Sequence, residues 1–188
     1  ENIDSNSNTK FVVPSKTQSE ILKLITDDKK DVEIIVGQRH ISFKIENYSI
    51  ISRLIEGNFL DYKTTVPKTA QTELVINTRL LSSAVDRMSL LTSEKIQSPV
   101  RCSITSDQIK LSCSTAVGKA NDVISVSAIG ADVEIGFNNR YLLDALKNSD
   151  TDEIKLVLNG SLAPMIVKPV NSDSFTFLVV PMRLSSEG

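Results

Sequence analysis

With 188 residues, 40% of them hydrophobic and 23% charged, the chain can bury the core of one large globular domain or one and a half small ones. It has no apolar run near the ~20 residues of a membrane-spanning helix. A net charge of −2 and a pI of about 5.5 exclude a surface that is basic throughout, so any nucleic-acid contact must use a local basic face or be weak. Two cysteines and one histidine cannot supply the four ligands of a structural zinc site.

The polar start, Glu1 to Lys10, reads as a loop or frayed end and lacks the basic and apolar regions of a signal peptide. The cytoplasm is therefore the expected compartment, with no membrane partner. A repeating pattern follows. A short strand, Phe11-Val12-Val13, precedes a helix that starts at Pro14-Ser15 and runs to about Thr26, with Ile21, Leu22, Leu24 and Ile25 as its apolar side. Strands are expected at Val32–Val36, at Ile41–Glu46, which alternates at period two, and at Tyr48–Ile55, with turns at Gly37 and Glu46-Asn47. Between helix and first strand, Asp27-Asp28-Lys29-Lys30 reads as a mixed-charge turn.

The second unit opens with a strand at Glu73–Asn77. A helix from about Thr78 to Thr92 carries Leu80, Leu81, Ala84, Val85, Met88 and Leu91 at spacings of three and four, as a helix with one buried face should. Strands follow at Val100–Thr105, Gln108–Ser114 and Asp122–Ala128. Cys102 and Cys113 flank the turn between the first two, where a disulfide is conceivable and a pair of small, partly buried, reduced thiols is the expectation.

The third unit opens with Val133–Phe137. Asn138 or Asn139 can cap a helix that runs to about Lys147 with Leu142, Leu143 and Leu146 inside. Strands follow at Glu153–Leu158, Met165–Pro169 and Phe175–Pro181, with Asn159-Gly160 as a turn pair. Each unit thus reads strand, helix, three-strand meander. Helices too rare to separate every pair of strands exclude an alternating parallel sheet, and the expected fold class is α+β. Two units side by side could form one two-helix domain, so three make a domain and a half.

Catalytic chemistry finds little support. His40 opens an alternating strand and reads as a surface side chain. Asp150, Asp152 and Glu153 read as a solvated loop rather than a cation site. The glycines are scattered, without a phosphate-cradling motif, and aromatic residues are too few for a base-stacking platform. No catalytic residue, metal or cofactor is expected. The helices do carry cations on their exposed sides: Lys16 and Lys23, Arg79 and Arg87, Arg140 and Lys147, interrupted by Glu20, Asp86 and Asp144. By themselves these form a solvated face. Functionally they would be a weak positive lining that touches phosphates without reading bases.

Four stretches, in order, resemble the bacterial DNA sliding clamp family, the beta subunit of the replicative DNA polymerase III holoenzyme. Leu54-Ile55-Glu56-Gly57-Asn58-Phe59-Leu60-Asp61-Tyr62 with Val66-Pro67 is similar to the segment linking the family's second and third domains. Arg87 to Lys95 resembles the end of the first helix of its third domain, and Glu134 to Leu146 the start of the second. Phe175 to Leu184 is similar to the family's last strand and tail. The resemblance implies a DNA-clamp fold with two strand-helix-meander units per domain. Residues 1–66 would be the later half of the middle domain plus linker, and 67–188 the C-terminal domain. It implies a processivity factor, not an enzyme: a homodimeric ring, when full-length, around duplex DNA, with helices lining the hole. Its partners would be the replicative polymerase subunit, the clamp loader and repair polymerases, each inserting a short peptide with a glutamine and two bulky apolar residues.

The positions that match the family's peptide pocket are Leu162, Pro164, Leu178, Val180, Pro181, Met182, Arg183 and Leu184, with Asn138 and Tyr141 at the rim and Leu60 and Thr65 from the linker. Leu60 stands where many members have proline, and Thr64 and Thr65 where some have arginine and valine. Part of the pocket wall is expected to precede residue 1. On pattern alone, Leu178, Val180 and Met182 alternate and read as the buried side of a last strand, while Met182 to Leu184 follow a proline and need not be strand. Ser185 to Gly188 extend beyond the family's usual end. The competing reading is a protein-interaction domain with no DNA contact.

Overall fold

The computed structural model describes residues 10–26, 31–57, 66, 69–92 and 98–184. The polar start before Lys10, the Asp27–Lys30 turn, the linker positions Leu60, Thr64 and Thr65, and the tail Ser185–Gly188 lie outside the described residues. The chain forms two compact units, Glu1–Asp61 and Tyr62–Gly188.

In the first unit, helix α1 (Ser15–Leu24) precedes an antiparallel meander of β1 (Glu33–Val36), β2 (His40–Ile45) and β3 (Tyr48–Arg53) in the order β1-β2-β3. The alternation in β2 turns Ile41, Phe43 and Ile45 inward, and Ile21 of α1 closes over them. A left-handed Glu46 (φ 51°) makes the tight turn into β3. Phe11–Val13 does not form a strand: the backbone bond there is Ile55 N–H to Val12 O (2.9 Å), and Pro14 has no N–H to extend a ladder. Helix α1 stops two residues short of Thr26, because Ile25 turns extended. Leu22 points to solvent at 71% exposure, since one small sheet covers only one narrow stripe of the helix. His40 is exposed.

The second unit runs β4 (Thr72–Asn77), α2 (Thr78–Ser89), β5 (Val100–Ile104), β6 (Gln108–Thr115), β7 (Gly118–Ser125), β8 (Ser127–Gly130), β9 (Val133–Phe137), α3 (Asn139–Lys147), β10 (Glu153–Leu158), β11 (Met165–Pro169), β12 (Phe177–Val179) and β13 (Pro181–Met182). Two five-stranded sheets result, ordered β12-β11-β10-β4-β8 and β13-β9-β5-β6-β7. The two sequence repeats exchange their opening strands. β4 pairs with β10 (Leu74 opposite Leu156), and β9 pairs with β5 (Phe137 opposite Val100). Helices α2 and α3 pack on each other, and Leu81, Ala84, Val85 and Met88 join Leu142, Ala145 and Leu146 in one core with both sheets. Each helix starts on an asparagine: Asn77 Oδ1 accepts from Leu80 N–H and Asn138 Oδ1 from Arg140 N–H, both at 3.0 Å.

Several sequence expectations are corrected here. Helix α2 ends at Ser89, with Leu91 and Thr92 continuing only as hydrogen-bonded turn, and Leu80 is 58% exposed because the helix buries one face. Leu143 is half-buried rather than inside. The expected strand Asp122–Ala128 is two strands in different sheets. β7 ends at Ser125, Val126 and Ala128 donate to Asp107 O and Ser106 O, and β8 then adds to β4. Where β8 ends, Gly130 (φ +119°) sits so close to Gln71 that any Cβ would collide with its carbonyl. The expected strand Phe175–Pro181 also divides, at Val180, into β12 in one sheet and β13 in the other. Cys102 faces Leu111 across the hairpin and Cys113 faces Ala120, so the two are not directly opposed, and both are free thiols in the core. Burial pushes the Cys102 thiol up to about 12.

Candidate functional site

The switch at Val180 shapes the most distinctive surface of the second unit. Val179 is buried in β12 against Met165. Pro181 and Met182 then pair with Phe137 and Gly136 at the edge of the other sheet, where a proline's missing donor is harmless. Beyond them Leu184 lies across Gly136. A Cβ built on Gly136 would meet Leu184 Cδ2 at 2.6 Å and Met182 O at 3.0 Å. This glycine lets the tail lie flat on the strand. On the other side, the β10–β11 turn, made possible by Gly160 at φ +83°, lifts Leu162 into solvent at 77% exposure. Between tail and turn is a depression of about 380 Å³, lined by Leu162, Met182, Arg183, Leu184, Gly136 and Glu134 with Ile135 and Ser161.

Leu162, Met182 and Leu184 give this depression apolar walls. At its rim, Glu134 is held below the usual carboxylate range, chiefly by the Arg101 guanidinium (3.0 Å), which outweighs the opposing effect of burial, and further by the Ser103 hydroxyl (3.1 Å). Apolar walls with a few fixed polar groups suit a short peptide or small ligand. No nucleophile and base converge there, and among the described residues no cluster of His, Cys, Asp and Glu could hold a metal ion.

Of the pocket residues nominated from sequence, Leu162, Met182, Arg183 and Leu184 come together. Pro164 and Leu178 are half-buried outside the lining, and Pro181 serves the β13 pairing. Val180 is 66% exposed at the strand break, so the alternation of Leu178, Val180 and Met182 is not the buried side of a strand; Val179 is buried instead. Met182, which need not have been strand after a proline, is strand, because the sheet edge at Gly136 offers it a partner. Asn138 serves as the α3 cap, and Tyr141 stands 63% exposed on α3. Sequence reasoning missed Glu134, Ile135, Gly136 and Ser161. A glycine inside a strand pattern was the available signal, since it marks close approach of another backbone.

The helix cations divide. Lys16, Lys23, Arg79, Arg87, Arg140 and Lys147 are all exposed. Lys23 pairs with Glu20 at 2.9 Å on the same helix. Arg87 is tied to Asp122 of β7 through Nε (2.9 Å) and Nη2, so part of its charge is spent within the fold.

The sequence model for the DNA polymerase III beta subunit, C-terminal domain, matches residues 63–183, and that for the central domain matches residues 1–61. The chain belongs to the DNA polymerase III beta subunit family. It is 32% identical over 182 residues to the beta sliding clamp of Staphylococcus epidermidis, covering 96% of this chain and 48% of that protein. The crystal structure of the DNA polymerase sliding clamp from Bacillus subtilis superposes with a TM-score of 0.82 at 30% identity, over 97% of this chain and 49% of that one. A sliding clamp from Pseudomonas aeruginosa, solved bound to griselimycin, gives 0.81 at 29% identity, over 98% and 50%. The chain therefore spans about half the length of the curated relatives it matches. The α+β clamp fold and the family resemblance read from the four motifs are both borne out.

Proposed function

We propose that this beta subunit family member works, within a longer clamp, as a docking platform that holds partner proteins on duplex DNA, without catalysing a reaction. The observation that carries the reading is the depression between the Met182–Leu184 tail and Leu162. Its apolar walls would take the two bulky side chains of a partner peptide, and the backbone and rim groups would fix the glutamine. The residues nominated for this role are Leu162, Met182, Arg183 and Leu184, with Pro164, Leu178, Val180, Pro181, Asn138 and Tyr141 around them and Leu60 and Thr65 from the linker. The partners would be a replicative polymerase subunit, a clamp loader and repair polymerases in the cytoplasm, and the full-length protein would close as a homodimeric ring. No helix among the described residues is long and apolar enough to cross a membrane.

The test is fluorescence anisotropy with a labelled peptide carrying a glutamine and two bulky apolar residues. Saturable binding that a Leu162→Ala, Met182→Ala double variant loses supports docking in the second unit. Binding that appears only in the full-length protein means the pocket needs a further wall. Absence of binding in both sinks the docking reading.

Sequence-independent DNA contact would come from Arg79, Arg140 and Lys147, with Lys16 and Lys23, and less from Arg87 given its tie to Asp122. Such contacts should be salt-sensitive. Arg79→Glu with Arg140→Glu in the full-length ring decides between this and an interaction domain without a DNA role: unchanged loading and sliding would favour the latter.

A further inference from the structure

Beside the peptide depression lies a larger, polar one of about 650 Å³ on the outer face of the β13-β9-β5-β6-β7 sheet, and the two share Glu134 and Leu184. We infer that this trough binds an acidic segment of the partner chain that flanks the apolar docking motif. The inference rests on the peptide-docking reading and extends it across the sheet.

Strand register fixes the geometry. Met182, Gly136, Arg101, Ser112 and Asn121 lie in one row across β13, β9, β5, β6 and β7. From Gly136 to Asn121 the row crosses three strand spacings of ~4.8 Å, about 14 Å, which an extended peptide covers with about four residues. A peptide leaving the apolar depression past Leu184 therefore comes next to Arg101 and the serines. The floor is built for hydrogen bonding rather than apolar burial. Ser103, Ser112, Ser114 and Asn121 line it, where the opposite face of the same strands carries Ile104, Ile109 and Leu111 into the core.

Charge selects the occupant. Among the described residues the trough is lined by three cations, Arg101, Lys110 and Lys119, against one carboxylate, Glu134, which already accepts from Arg101 and Ser103. Lys110 and Lys119 are exposed. This local excess of positive charge stands on a chain of net charge −2. Aspartate or glutamate side chains would meet complementary potential there, whereas a basic flank would be repelled. Among the described residues no aromatic ring lines the trough to stack a nucleobase, which favours a peptide over a single nucleic-acid strand.

The experiment compares three labelled peptides that share the glutamine and two bulky apolar residues and carry four aspartates, serines or lysines on either end. Each is titrated into the chain by anisotropy at two salt concentrations. The aspartate flank should tighten binding about three- to tenfold over the serine flank, as expected for two or three exposed charge pairs, with the gain shrinking at high salt. In a Lys110→Glu, Lys119→Glu variant the gain should vanish while the serine-flanked peptide binds as before. Equal affinity for the three flanks overturns the trough. Should none of them bind either the chain or the full-length protein, the docking reading fails by itself. The aspartate segment alone is then followed by NMR: amide shifts confined to Ser103, Ser112 and Asn121 sustain the trough, and unmoved amides overturn it. A single-stranded oligonucleotide that moves those amides at lower concentration than the aspartate segment overturns the peptide assignment.

Discussion

Among the described residues of Glu1–Asp61 one helix sits on one three-stranded sheet, and the buried apolar residues are Ile21, Ile41, Phe43 and Ile45. In Tyr62–Gly188 two copies of the same local plan exchange their opening strands, and the buried cluster draws on both helices and both sheets. The difference shows at the surface. Within the first unit Ile34, Ile35, Val36 and Ile51 remain exposed, the last at 72%, and no residue of β1 is buried. A sheet has two faces and a single helix covers part of one, so one repeat by itself leaves exposed the apolar surface that two adjacent repeats bury mutually. Stability should accordingly concentrate in the second unit.

The largest effect expected from this comparison is at Phe137, which is fully buried where the exchanged strand β9 meets β5. Phe137→Ala should cost about 3–5 kcal/mol in urea unfolding, and Ile41→Ala in the small core nearer 2 kcal/mol, because a thin core relaxes into the space. Equal losses would break the comparison, as would hydrogen exchange in which β2 amides outlast those of β5. Next comes Gly136→Val. Its side chain must displace Leu184, for about 1–3 kcal/mol, and should weaken a peptide bound at Leu162 more than it slows exchange in the core.

Alkaline pH acts on the second unit through its two buried cysteines. Cys102 titrates near 12 when folded against 9.0 for the free group. The unfolded chain therefore releases its proton first, and stability falls as pH rises above about 9, by up to about 1.4 kcal/mol per pH unit, until the folded thiol also ionises near 12. The buried Cys113 thiol is shifted in the same direction. Denaturation midpoints from pH 8 to 10.5 should slope downward in the native protein and less steeply in Cys102→Val. The smallest effects are at the caps. Asn77→Ala and Asn138→Ala should each cost about 1 kcal/mol, whereas α1 begins at Pro14 without a side-chain cap. Pro14→Ser should then gain up to about 1 kcal/mol in the first unit by capping, and a loss there would mean the proline's rigidity outweighs the hydrogen bond.

Much of the local structure could be read before any coordinates. The start of α2, the capped start of α3, the alternation of β2, and the spans of β9, β10 and β11 follow from side-chain period and turn chemistry. Two strand breaks could not. Asp122–Ala128 and Phe175–Pro181 are unbroken β-prone runs, and nothing local marks Val126 or Val180 as the residue where the chain leaves one sheet for another. That choice depends on which edge offers a backbone partner. The site divides in the same way. The exposed Leu162 and the tail Met182–Leu184 could be nominated by motif, while Glu134 and Gly136 enter only because β9 happens to be the strand beneath the tail.

What the sequence determined by itself was the α+β class, the repeat and the helix faces, because these rest on period, caps and turns within a dozen residues, and the family, through the resemblance of four motifs. Which repeat supplies which strand, which strands change sheets, and the joining of an apolar depression to a cationic trough were decided by the tertiary structure. They depend on pairing between residues far apart in the chain, such as Thr72 with Leu158, and backbone hydrogen bonds carry no side-chain signature that would announce the partner in advance.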